Sequence, residues 1–199
     1  MEPQETEDRD QFGRRLEDRG AWRQATTIAA AGELTARWLE GQSEFQPATF
    51  TATYDAETAP IAVELAALNR NGLFTKESQP GLRSADIVQR EYVTAFCSAE
   101  VAAELLALST RTELVTVAHA PGESSNAAIP VTVDGGEVVT VLGSSENPVT
   151  EEQIRDWADE TNESLALLLA DSWYVEILDP AWGRDNVLLP AVLGALTGS

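Results

Sequence analysis

"IPVTVDGGEVVTVLG", residues 129–143, decides the fold class. Two runs rich in valine and threonine flank Asp134-Gly135-Gly136, and both alternate as strands do. The paired glycines supply the positive φ that a tight antiparallel turn needs, so the sheet contains a definite hairpin. Upstream, "ELVTVAH" (113–119) reads as a further strand. "AEVAAELLALS" (99–109) reads as a helix that Ser98 caps, with Val101, Leu105 and Leu108 on its buried face.

Further out, "DIVQREYVTAFCS" (86–98) reads as one long strand. Val88, Arg90, Tyr92 and Thr94 lie on one side and Ile87, Gln89, Glu91, Val93 and Ala95 on the other. Leu73–Thr75 is a short strand before it. "TAPIAVELAALNRNG" (58–72) is a helix with Thr58 near its N-cap, Pro60 in its first turn and Asn71-Gly72 as its left-handed stop. Residues 22–40 form another helix closed by Gly41. Residues 42–57 form a loop ordered by Phe45, Phe50 and Tyr54 lying on the core.

Toward the C-terminus, Thr150-x-x-Gln153 fits a capping box that opens a short helix through Trp157. "NESLALLLAD" (162–171) is a helix and "SWYVEIL" (172–178) a strand. "DNVLLPAVLGAL" (185–196) is a final helix that Pro190 bends near its start. The order α, α, β, β, α, β, β, β, α, α, β, α gives an α+β, or mixed α/β, class. Residues 1–20 are read as a flexible, charged tail and residues 21–199 as a single globular domain. One sheet of about five or six strands with a hairpin is covered by helices.

Thirteen basic against thirty-three acidic residues leave a formal charge of −20, and only Lys76 is a lysine. No segment clusters the cations that a phosphate backbone or an anionic membrane surface requires, so neither nucleic acid nor membrane is expected as a partner. Acidity suits solubility, a salt-rich environment or a basic protein partner. Cys97 stands alone, which excludes an intrachain disulfide and a CxxC metal site. "MEPQETEDRD" has neither a basic nor an apolar leader region, and no run reaches eighteen apolar residues, so a cytoplasmic protein is expected.

Two stretches carry the polar chemistry. In "TKESQPG" (75–81), Pro80-Gly81 fits the centre of a type II turn, beside which Thr75, Ser78 and Gln79 can aim at a common point. The segment is a structural turn or a polar binding loop. In "LDPAWGRDN" (178–186), a strand ends where a helix begins, a setting that favours anions. Arg184 and Asn186 would face a carboxylate or phosphate there, or Arg184 would pair with Asp179. His119, the only histidine, ends a strand before "APGESSN"; a Ser–His–acid set with Ser124 or Ser125 lacks the G-x-S-x-G elbow. The acids show no metal-ligand spacing, and there is neither a Walker loop nor G-x-G-x-x-G, so no metal or cofactor is implied.

"GELTARWLEG" (32–41), "ETAPIAVELAALNRNGLFTKESQPG" (57–81) and "WYVEILDPAWGRDNVLLPAV" (173–192) together resemble an uncharacterised domain family of actinobacteria and their phages. That family's segments read LNRxGFxTxxSQPG and DPxxGRNxxLWPxL. The resemblance spans about residues 32–197. It departs at Leu73-Phe74, at Asp185-Asn186, and at Leu189 in place of a Trp. It implies no particular reaction. It singles out Asn69, Thr75, Ser78, Gln79, Pro80, Gly81, Asp179, Pro180, Gly183, Arg184 and Asn186 as motif positions, without assigning them roles.

The leading expectation is a small binding domain. Thr75, Ser78 and Gln79 would form one wall and Asp179 and Arg184 the other, around a polar or anionic small molecule. A second is an acidic protein-interaction module, of the kind a phage directs at a host factor. A third is a hydrolase or transferase using His119 with a serine or an acid. The first fails if the two turns lie on opposite faces. Nothing in the sequence sets the oligomeric state.

Overall fold

The stretch read as one strand over residues 86–98 is two strands in two sheets. β1 (Phe74–Gln79), β2 (Leu82–Arg83), β3 (Ile87–Gln89) and β4 (Tyr92–Cys97) make one long antiparallel hairpin. Both arms bend together, so that β1 pairs with β4 in one sheet and β2 with β3 in another. The corner falls at Pro80-Gly81 on one arm and Arg90-Glu91 on the other. Pro80 has no N–H to give to a ladder. Opposite it, the Arg90 N–H leaves for the Val131 carbonyl at 2.8 Å, and the Glu91 carbonyl accepts from Asp179 N–H at 2.9 Å. The type II turn expected at Pro80-Gly81 is therefore a bend: Gly81 is not among the residues with positive φ. The reversal lies beyond it, where Ser84 N–H reaches the Ile87 carbonyl at 2.8 Å.

The computed structural model describes residues 8–49, 51–123, 126–143 and 151–198. Two four-stranded antiparallel sheets stand where one sheet of five or six strands was expected; the α+β class holds. The first has the order β1-β4-β8-β5, with β5 at Val115–His119 and β8 at Trp173–Leu178. The second has the order β2-β3-β6-β7, with β6 at Ile129–Asp134 and β7 at Glu137–Leu142. Asp134 pairs with Glu137 across Gly135 (φ 56°) and Gly136 (φ 88°), the turn that the glycine pair required.

The helices are α1 (Leu16–Trp22), α2 (Ile28–Leu39), α3 (Ala62–Arg70), α4 (Ala99–Arg111), α5 (Glu151–Glu160), α6 (Glu163–Ala170) and α7 (Leu188–Thr197). A short 3-10 turn, Ala59–Ile61, leads into α3. Val93, Ala95, Cys97, Val175 and Ile177 on one face of the first sheet pack on Leu65, Leu68, Leu105, Leu188 and Val192 from α3, α4 and α7. Phe74, Phe96 and Tyr174 meet Trp22, Trp157, Leu165 and Leu169 in a second apolar cluster. The second sheet closes over Tyr92 and Leu178 through Val131 and Leu142. Gly32 in α2 lets that helix lie close against the end of α3, since a Cβ there would stand 2.3 Å from the Asn69 carbonyl oxygen.

The expected tail is corrected over residues 8–20. Arg14 is buried, and its guanidinium finds acceptors on every side. Nε meets Asp10 at 2.7 Å, Nη2 meets Glu160 at 2.6 Å, and Nη1 meets the Gln46 and Thr49 carbonyls at 3.1 Å each. It also stacks 4.5 Å over Phe45. A charge so fully hydrogen-bonded can be buried, and it ties a polar segment to the fold. Residues 1–7, Phe50, Thr150 and the Gln153 side chain lie outside the described residues, and with them the capping box. Among the described residues no helix is long and apolar enough to cross a membrane.

Candidate functional site

The two polar turns converge, backbone against backbone. A Cβ on Gly81 would lie 1.8 Å from the Arg184 carbonyl oxygen, so only glycine fits. Gly183 N–H donates to the Gln89 carbonyl at 2.9 Å, and Arg83 reaches the Trp182 carbonyl at 3.2 Å. The contact is structural, however. Arg184 grips Asp179 with Nε and Nη2, both at 2.6 Å, and Glu113 with Nη1 at 2.6 Å. These bonds, Asp179 first, hold the guanidinium above its ordinary pKa. Asp179 is fully buried and also accepts from Ala181 N–H at 2.8 Å. Asn186 is exposed at φ 63°, a left-handed turn position that asparagine tolerates.

At the start of the C-terminal helix, where an anion was expected, stands the protein's own Glu91. One Glu91 carboxylate oxygen accepts from Val187 N–H at 3.2 Å and Leu188 N–H at 3.0 Å at the N-terminus of α7. Burial raises the carboxyl pKa above its usual value, against the lowering effect of those N–H groups. Arg184 is thus engaged by Asp179 and Glu113, while Asn186 stands exposed. The sequence reading set Glu91 on the strand face of Val93 and Ala95 but gave it no role, because its partners Val187 and Leu188 lie 96 and 97 positions away.

Thr75, Ser78 and Gln79 lie on β1, an edge strand, and line a cleft of about 550 Å³. Its other wall comes from residues 46–49 and 51–58, with Trp38 behind and Tyr92 and Trp157 also lining it. Thr75 is tied to α3: its N–H donates to Asn69 Oδ1 at 3.0 Å, and its hydroxyl accepts from Asn69 Nδ2 at 2.7 Å. Gln79 crosses the cleft. Its Nε2 donates to Glu57 at 3.0 Å while its Oε1 accepts from Gln89 at 2.9 Å, so Gln89 orients Gln79 and Gln79 orients Glu57.

A bulge between Thr75 and Glu77 breaks the pairing register at Lys76. Lys76 Nζ lies 5.9 Å from the Tyr174 ring centroid and 3.7 Å from the Glu77 carboxylate. Tyr92 is only 5% exposed, and its hydroxyl has no hydrogen-bond partner among the described residues. Burial, with the Glu77 and Glu57 carboxylates adding to it, pushes that hydroxyl well above its ordinary pKa. The opposite wall is strained. Ala48 sits at φ 57°, held by its N–H to Glu160 at 2.5 Å and by Arg14 on the Gln46 and Thr49 carbonyls.

His119 is elsewhere. It pairs in register with Tyr174, whereas Gln79 shares the row of Tyr92 and Leu178. The two positions are separated by about 14 Å along the strands and about 14 Å across three strand spacings. His119 is buried, with Nε2 at 2.8 Å from Glu176, which also accepts from Gly143 N–H at 2.8 Å. Ser124 and Ser125 lie outside the described residues. Among those described, no group of three or more His, Cys, Asp or Glu is placed to hold a metal ion. Cys97 is buried, and burial pushes its thiol up to about 12.

The chain belongs to the family described as a domain of unknown function, DUF6919, whose model matches residues 17–199. That span takes in both converging turns, the whole of β1 and the facing segment. Comparison with curated proteins gives no match.

Proposed function

We propose that this domain binds a small organic molecule in the cleft between β1 and the facing residues 46–49 and 51–58, with no chemistry required of it. The observation that carries the reading is the cleft itself. Its volume of about 550 Å³ falls in the range of ligand pockets, and apolar rings there meet a few polar groups. Trp38, Tyr54, Tyr92 and Trp157 supply the rings; the side chains of Ser78 and Asp55 have no hydrogen-bond or ion-pair partner among the described residues. Ala48 supports the same reading. A non-glycine residue in the left-handed region costs on the order of 1–2 kcal/mol, and such strain clusters at functional sites.

The anionic half of the expectation is set aside. Asp55, Glu57 and Glu77 bring three carboxylates to the cleft against the one ammonium of Lys76. The ligand is therefore polar and not negatively charged. The test is a fragment screen read by tryptophan fluorescence and by hydrogen exchange along Phe74–Gln79. Ligands that protect β1, and lose binding in a Ser78→Trp variant that fills the cleft, support the reading. Ligands whose binding survives Ser78→Trp refute it.

A further inference from the structure

The cleft has an acidic end whose chemistry narrows the ligand. Glu57 and Glu77 face it from opposite walls, Glu57 held by Gln79 and Glu77 two residues before Gln79 on β1. Tyr92 pairs with Gln79 in register, which brings its hydroxyl to this same end. Asp55 adds a third carboxylate. Lys76 stands 3.7 Å from Glu77, and neither Asp55 nor Glu57 has an ion-pair partner among the described residues. Carboxylates of like sign gathered at one end of a cleft favour a bound cation. Tyr92 is an independent sign: its hydroxyl is carried on a side chain more than nine-tenths buried, lines the cleft and is without a partner. A phenol oxygen with no protein partner at the cleft surface is open to a donor or acceptor on a ligand.

Resting on the cleft reading above, we infer that the ligand carries a positively charged amino group, seated between Glu57 and Glu77 beside the Tyr92 hydroxyl. An ammonium supplies several N–H donors from one atom, which suits two carboxylates and a phenol oxygen. Trp38 and Tyr54, edge to face at 5.6 Å, cover the apolar body of the molecule and attract its cation. An organic cation fits better than a metal ion, because no group of three metal-ligating side chains forms among the described residues.

The experiment uses the full chain and three probes that share one aromatic body: phenethylamine, phenethyl alcohol and phenylacetate. Calorimetry at low salt is expected to give an affinity for the amine about tenfold or more above the alcohol, with no binding of the acid. Glu57→Gln should weaken the amine about tenfold and leave the alcohol unchanged. Tyr92→Phe, which keeps the packing, should weaken it by a smaller factor. Equal binding of amine and alcohol overturns the inference and leaves the cleft reading standing, as does preference for the acid. Competition by magnesium or calcium with the amine, at equal ionic strength, transfers the site to an inorganic cation and also overturns it. Binding of none of the three at millimolar concentration overturns the amine inference. Failure of the fragment screen as well removes the cleft reading.

Discussion

The sharpest test of the architecture is one methyl group on Gly81. A Cβ there would lie 1.8 Å from the Arg184 carbonyl oxygen, 2.5 Å from its carbonyl carbon and 3.2 Å from its nitrogen, all backbone atoms. An ordinary carbon–oxygen contact needs about 3.3 Å, so the two turns must separate by about 1.5 Å. Overpacking by a methylene usually costs about 1–3 kcal/mol, and here no flexible side chain can yield, so Gly81→Ala should cost about 3 kcal/mol or more. In a domain of this size that lowers Tm by about 6–12 °C. The control is Gly20→Ala. Gly20 lies in α1, has an ordinary φ and has open space where its Cβ would go. Removing a helical glycine there should stabilise by about 0.5–1 kcal/mol. Urea unfolding of both variants, with m-values compared, separates stability from altered compactness. A Gly81→Ala variant within about 0.5 kcal/mol of the parent would show that the two turns do not touch, and the fused corner would fall with it.

Glu91 sets a pH dependence. Its folded-state pKa lies above the usual value of 4.5, so the folded state holds this proton more tightly than the unfolded chain. The Glu91 contribution is thus most favourable below that value and declines as pH rises through the folded pKa. The stability of Glu91→Gln relative to the parent should therefore improve from pH 4 to pH 7 in urea titrations; a decline contradicts the buried carboxylate. Arg14→Met should lower stability by about 3 kcal/mol or more, because it strands buried acceptors on the Glu160 side, and should speed exchange of the Ala48 amide; unchanged exchange there breaks the link to the cleft wall. Arg184→Met and Asp179→Asn should together destabilise by less than the sum of the two, as a double-mutant cycle in urea would show, and additivity would deny the ion pair. The Cys97 thiol, buried and pushed up to about 12, should react with a thiol reagent only as fast as the protein unfolds. Rapid labelling of the native chain would place it at the surface.

The elements that local chemistry determines were legible in the sequence. The Asp134-Gly135-Gly136 hairpin, the Ser98 cap that accepts from Val101 N–H at 3.3 Å, and the Gly72 stop at φ 101° all stand. What was not legible is set by distant partners. The break at Arg90-Glu91 depends on the Val131 carbonyl and on Asp179, residues far along the chain that no local pattern announces. The ordering of residues 8–20 depends on acceptors up to 146 positions from Arg14. At the site, both polar turns were readable as special, and Thr75, Ser78 and Gln79 do line the cleft. The facing wall was read only as a connecting loop. One signal could have pointed to it: the chain's single lysine, with Glu77, interrupts β1 just where the register shifts.

The wall of residues 46–49 is held in a way that bears on how the cleft works. Arg14 comes from the N-terminal segment and Glu160 from the end of α5, and they meet on this one stretch, binding the Gln46 and Thr49 carbonyls and the Ala48 N–H. A buried ion pair is seldom worth more than the apolar contacts that could replace it, so its value here lies in fixing a conformation. That conformation includes a left-handed alanine, which a relaxed chain would leave. A hinge or lid needs the opposite: weak contacts and small residues free to change φ. Residues 46–49 are therefore a standing wall, and their ordering entropy is lost when the domain folds, so the proposed ligand would not have to supply it. Binding should then leave exchange at Ala48 unchanged while protecting β1, which separates a preformed cleft from one that closes on its ligand.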